Sequence, residues 1–142
     1  MKRDNSPMGG VMLEKIFGPC REYALFVLRL FVGIVFLSHG WLKFFGGLEG
    51  FAGFLRQAGV PLPGVMAPLV AAIEFFGGLA ILLGTGTRIA ALLLSGVMVV
   101  AMITVTLRVG FANGYDINLA LLGGLLALLL AGPGKPAAGG DL

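Results

Sequence analysis

The chain has 142 residues, of which 58% are hydrophobic and only 12% charged, with a formal net charge of +3. Soluble globular domains carry roughly 25% charged residues, and a mean hydropathy of +0.99 would leave large apolar patches in water, so composition places the chain in a membrane. The scattered basic residues form no Arg- or Lys-rich tract, which excludes a nucleic-acid footprint. The lone Cys20 excludes an internal disulfide or CxxC pair, and one histidine supplies neither two haem ligands nor a metal cluster.

Residues 1–22 mix Lys2, Arg3, Lys15 and Arg21 with Asp4, Glu14 and Glu22. "NSPMGG" reads as loose, and "VMLEKIFGPCREY" as a short surface helix. A basic start before an apolar run resembles a signal peptide. The run over 23–45, however, exceeds a typical h-region, and no A-x-A-like cleavage site follows it. It reads as a retained first span.

Next comes "GGLEGFAGFLRQAGVPLP". Leu48, Phe51, Ala52 and Leu55 recur at helical spacing, with Glu49 and Arg56 on another face. This pattern predicts a short amphipathic helix, lying in the interface or packed over the bundle as a lid. The second span covers 64–83, with Pro63 and Pro68 near its first turn, where early N–H groups have no intrahelical partner to lose. "GTGTR" is a tight turn, which makes spans two and three antiparallel neighbours. The third span, 89–107, lies between Arg88 and Arg108 and matches the hydrocarbon thickness. The fourth, 116–131, is short and ends at "GPGKP".

The fold class expected is therefore an all-α integral membrane protein. Its domain is an antiparallel four-helix bundle over 23–131, between a 1–22 segment and a 132–142 tail. The positive-inside rule puts both termini on the cytoplasmic side of the plasma membrane, with Lys2, Arg3, Lys15, Arg21, Arg88 and Lys135 inside and Lys43, Arg56 and Arg108 outside. Tyr23 at the inner boundary and Trp41 and Tyr115 at the outer one suit aromatic belts.

Charges inside spans are unfavourable and usually turn inward to a partner. Arg29, His39 and Lys43 share one face of the first span, since Arg29 and Lys43 differ by only about 40° around the axis. Glu74 lies mid-span, too short to reach the headgroups, on a stripe with Ala67, Ala71 and Gly78 that lets another helix approach. In span four, Asp116, Ala120, Gly123, Gly124, Ala127 and Ala131 form a second small-residue stripe, and Asp116 also suits a helix N-terminus. Depth along the membrane pairs Glu74 with Arg29, about 5 Å apart along the normal, and gathers His39, Lys43 and Asp116 near the outer face.

An arginine early in span one, "HGWLK", "EFFGG", "LGTGTR" and a terminal "GPG" together resemble the DoxX family of small four-helix membrane proteins. The likeness runs from about Leu28 to Gly134, and Arg29, His39, Gly40, Lys43, Glu74, Gly84, Thr87 and Arg88 match the family pattern. Asp116 stands where members often carry a glutamate. The resemblance implies the four-helix bundle and a link to membrane redox complexes, the namesake being the small subunit of a thiosulfate:quinone oxidoreductase.

Three functions are compatible with these residues. The first is a subunit or accessory of a quinone-linked membrane redox system, with no intrinsic cofactor. There the polar cluster would hydrogen-bond a quinone carbonyl, and Phe44, Phe45, Phe51 and Phe54 would flank its ring. The second is a non-enzymatic scaffold or assembly factor, and the third a small-solute or proton pathway, which needs an oligomer. The partners expected are the lipid bilayer and other membrane subunits or further copies of the chain.

Overall fold

A computed structural model describes residues 8–139; Lys2, Arg3, Asp4 and the start of "NSPMGG" lie outside the described residues. All regular structure among these residues is helical. Six α-helices run in order: α1 Met8–Phe17, α2 Ala24–Gly46, α3 Leu48–Gln57, α4 Pro63–Leu83, α5 Thr87–Thr104 and α6 Asp116–Ala131. Helix α1 begins at Met8, so the second half of "NSPMGG" is helical rather than loose. Gly18 and Pro19 then turn the chain into a 3₁₀ segment, Gly18–Tyr23, braced where Arg21 donates to Glu14 at 2.9 Å.

Three helical stretches are long and apolar enough to cross a membrane, those containing α2, α4 and α5; α6 is apolar but shorter. The chain's own punctuation sets their ends. Pro63 occupies the first turn of α4, where a missing N–H costs nothing. Gly84 ends α4 in the left-handed region at φ +71°, with its N–H and that of Thr85 returning to Ala80 and Ile81. This is a Schellman-type stop that favours glycine. Gly86 opens α5 two residues later.

Small residues determine how these helices meet. A side chain on Gly40 would run into Phe75, one on Gly78 into Leu37 and one on Gly33 into Leu82. These three facing pairs fix an antiparallel register between α2 and α4. Gly77 against Leu94 does the same for α4 and α5. Helix α3 packs on α4 and buries Leu55, while Glu49 and Arg56 stay exposed. The core gathers Val32, Phe36, Ile81, Ala91, Leu94, Leu125 and Leu128.

Helix α6 departs from its expected orientation. Its buried residues are Leu125 and Leu128, whereas Ala120, Gly123, Ala127 and Ala131 are exposed. Only Gly124 of the small stripe makes a close approach, to Val32 and Leu28. The helix is apolar all round, so hydropathy selects no face. The leucines fill more of the space against α5 and α2, and packed volume decides the orientation.

After α6 the chain folds back. Gly134 packs on Leu25, Ala137 meets Gly84, and Gly139 lies against Thr85. The Ala138 N–H donates to the Leu83 carbonyl at 2.9 Å. Residues 132–139 thus form a strap that ties the start of α2 to the α4–α5 turn.

Candidate functional site

The α2–α4 register determines which intramembrane charges meet. With Gly40 against Phe75, Glu74 lies opposite residue 41, and Lys43 is the cation within reach. Lys43 Nζ donates to Glu74 Oε2. Glu74 is 2% exposed, on the small-residue stripe where Ala67, Ala71 and Gly78 are also buried. The pairing of Glu74 with Arg29 expected from depth is corrected: on this register Arg29 lies 12 residues from Glu74's level, about 18 Å along the axis. The depth reckoning had both helices filling one slab end to end, whereas α2 begins well before α4 stops.

Arg29 instead sits beneath the strap. It is 1% exposed, its Nη2 donates to the Pro136 carbonyl at 2.6 Å, and its guanidinium lies 5.5 Å from the centre of the Phe26 ring. Of the five residues of the expected charge cluster, Lys43 and Glu74 are brought together. His39 is exposed on the same end of α2. Asp116 is half-buried as the first residue of α6, whose N-terminus has no side-chain cap.

Two cavities open along the Lys43 end of α2. One, of about 260 Å³, is lined by His39, Leu42, Lys43, Gly46, Gly47 and Phe51. The second, of about 550 Å³, is an apolar groove lined by Leu37, Ser38, Trp41, Leu42, Phe75 and Leu79. Leu42 belongs to both, so a vestibule that carries His39 and Lys43 on a mostly apolar wall adjoins an apolar slot of the size that holds small molecules. The Lys43 ammonium lies 4.7 Å from the centre of the Phe51 ring, a cation–π contact.

The aromatic residues divide accordingly. Phe51 lines the vestibule and stacks on Phe54 at 6.4 Å, but Phe54 itself faces a separate cavity with Thr104 and Arg108. Phe44 meets Phe75 edge-on at 6.2 Å, and Phe45 packs on Trp41 at 4.3 Å. These two touch the groove's lining rings without lining it themselves. The sequence reading missed Ser38, Phe75 and Leu79 as lining residues; the signal for them was Gly40 and Gly78, whose missing side chains draw α2 onto α4.

The comparisons agree with this architecture. The DoxX family model matches residues 24–107, from α2 to the end of α5. A Bacillus subtilis (strain 168) protein named "Putative oxidoreductase CatD" is 37% identical over 111 residues, 78% of this chain and 81% of that protein. The "Inner membrane protein YqjF" of Escherichia coli (strain K12) is 36% identical over 121 residues, 80% of this chain and 87% of that one. An "Uncharacterized membrane protein Rv3486" of Mycobacterium tuberculosis is 35% identical, over 76% of this chain and 74% of its own length. No solved structure matches the chain. With a family match over more than half its length and relatives covered over 81% and 87% of their own length, the chain is a membrane protein of the DoxX family.

Proposed function

We propose that this protein is a four-span antiparallel bundle of the plasma membrane, with both termini cytoplasmic and α3 in the outer interface. On this reading it serves as a subunit or accessory of a quinone-linked membrane redox system. The observation that carries the reading is the vestibule of His39, Lys43 and Phe51, two nitrogen-bearing side chains on a mostly apolar wall, opening beside the apolar α2–α4 groove. A quinone needs hydrogen-bond donors for a carbonyl and an apolar slot for its ring and tail. Lys43 supplies the donors, with Glu74 balancing its charge, and Trp41, Phe75 and Leu79 supply the slot. The oxidoreductase in the name of the Bacillus relative supports the same reading. Electrons would come from a partner subunit, and this chain's part is to bind and orient.

Trp41 is the only tryptophan and lines the groove, so quinone binding reports itself. Titrating a short-chain ubiquinone into detergent-solubilised protein should quench Trp41 fluorescence saturably. Phe51→Ala and His39→Ala should weaken that binding about tenfold, the size of one lost contact of roughly 1.4 kcal/mol, without lowering thermal stability. Linear, unsaturable quenching that both variants share would refute the proposal.

A scaffold role is favoured by a different observation. The Lys43–Glu74 pair bridges α2 and α4, and a buried ion pair can fix helix register without any chemistry. Under that reading Lys43 and Glu74 variants lose abundance and partner binding together, with no quinone effect at any protein level.

A further inference from the structure

At the other end of α2, about 21 Å from Lys43, three buried polar atoms have no hydrogen-bond partner among the described residues: Arg29 Nε, Arg29 Nη1 and Thr87 Oγ1. Arg29 is 1% exposed and Thr87 2%. A buried donor without a partner is costly, and a buried charge more so. Native interiors rarely tolerate such groups unless something occupies the gap.

Four carbonyls of the turn and strap already accept hydrogen bonds. The Ala80 and Ile81 carbonyls receive Gly84 and Thr85, the Leu83 carbonyl receives Ala138, and the Pro136 carbonyl receives Arg29 Nη2. Donors, by contrast, are in surplus. Thr87 is the first residue of α5, whose N-cap is Gly86 and carries no side-chain cap. The first-turn N–H groups of a helix lack intrahelical acceptors, and the helix dipole adds positive potential there. Arg29 reaches this turn through Gly84, since any side chain at Gly84 would overlap Nη1. The glycine leaves room for a guanidinium beside the entrance to α5.

We propose that Arg29, Thr87 and the first turn of α5 form an oxoanion site beneath the C-terminal strap. The ligand is a phosphate group, borne either by a phospholipid of the adjacent leaflet or by free phosphate. An oxoanion matches the donor set: a guanidinium N–H, a hydroxyl and helix N–H groups are usual elements of phosphate recognition. It also compensates the Arg29 charge, which the neutral Pro136 carbonyl cannot do. The strap closes over the bound group, and its release opens the site.

The test uses the full-length protein purified in detergent and stripped of lipid. Thermal unfolding is measured with inorganic phosphate against chloride at equal ionic strength, and with phosphatidylglycerol against diacylglycerol, which lacks the phosphate. Saturating ligand should raise Tm by about 5 °C. A shift with phosphatidylglycerol alone identifies the lipid as source, and one with inorganic phosphate identifies the free ion. Thr87→Val removes only an unpartnered hydroxyl, so it should leave the ligand-free Tm unchanged or raised while cutting apparent affinity about tenfold. Arg29→Lys, which keeps the charge but not the planar guanidinium, should do the same if it folds, and Thr87→Val decides if it does not. No shift with either ligand, an equal shift with chloride or diacylglycerol, or a Thr87→Val response matching wild type would overturn the proposal.

Discussion

Lys43 on α2 donates to Glu74 on α4 across a helix contact drawn tight by Gly40 and Gly78. The Glu74 side chain is 3% exposed and that of Lys43 21%. The carboxylate is therefore held in the interior while its partner retains a path to the vestibule.

Removing the lysine should be the more severe change. Lys43→Ala leaves the buried Glu74 carboxylate uncompensated, a loss of roughly 3–5 kcal/mol, whereas after Glu74→Ala the Lys43 ammonium can reach the vestibule and the loss should be smaller. The double variant Lys43→Met/Glu74→Met replaces the pair with apolar side chains and should recover most of the Lys43→Ala loss. Thermal unfolding of the purified variants and their wild type measures the cycle. Equal damage in Lys43→Ala and the double variant would show that the pair's charge balance is not what matters.

The glycine contacts offer a packing test. At Gly40 an added methyl carbon would stand 2.6 Å from the Phe75 Cα and 2.8 Å from its Cβ, so backbone must move. Gly40→Ala should cost about 1–3 kcal/mol through overpacking. Gly123 has nothing within 4 Å, and Gly123→Ala should be neutral or stabilising by up to about 1 kcal/mol from helix propensity. Unfolding of both variants in the same detergent checks the contrast.

Two positive-φ glycines in one turn isolate the Arg29 contact. Gly84 (φ +71°) and Gly86 (φ +55°) should carry similar left-handed strain when replaced by alanine, about 1–2 kcal/mol. At Gly84 the methyl meets Arg29 and, at 2.9 Å, the Ala137 Cβ, whereas at Gly86 it meets nothing within 4 Å. Gly84→Ala should lower Tm several degrees further than Gly86→Ala, and the gap should narrow in an Arg29→Ala background to what the Ala137 contact leaves. An undiminished gap would assign the difference to Ala137 and the turn's backbone instead.

Orientation is accessible through Cys20, the chain's only cysteine, which is exposed. A membrane-impermeant maleimide should label it in inverted vesicles and not in intact cells. In a Cys20→Ser background, Glu49→Cys on the exposed side of α3 should show the reverse. Labelling of Cys20 from outside would invert the topology.

Much of each helix was legible in the sequence, because helix ends are local. The apolar runs over 23–45, 64–83 and 89–107 differ by no more than three residues from α2, α4 and α5, and the 116–131 run coincides with α6. Proline and glycine at the ends, and the length of apolar chain between charges, carry that information within a few residues. The burial of Glu74 was legible too, from the alanines and glycine that share its face. What the sequence concealed was relational. Pairing Glu74 with Lys43 rather than Arg29 depends on where Gly33, Gly40 and Gly78 dock, which no single-helix periodicity contains. The outward turn of Ala120, Gly123 and Ala127 was hidden for a similar reason. In an apolar helix the winning face is set by the shape of its neighbours.

The strap over Arg29 also imposes an order on biogenesis. The carbonyl that receives the guanidinium lies 107 residues downstream, beyond every apolar helix of the chain. While the protein is being synthesised, Arg29 enters the bilayer long before that acceptor exists, and it must be held by water, headgroups or the insertion machinery. The contact forms only when the final helix is in place and the C-terminal residues have doubled back. Closure of the strap thus waits on the C-terminal residues: a chain truncated anywhere before Pro136 lacks the carbonyl that receives the Arg29 guanidinium.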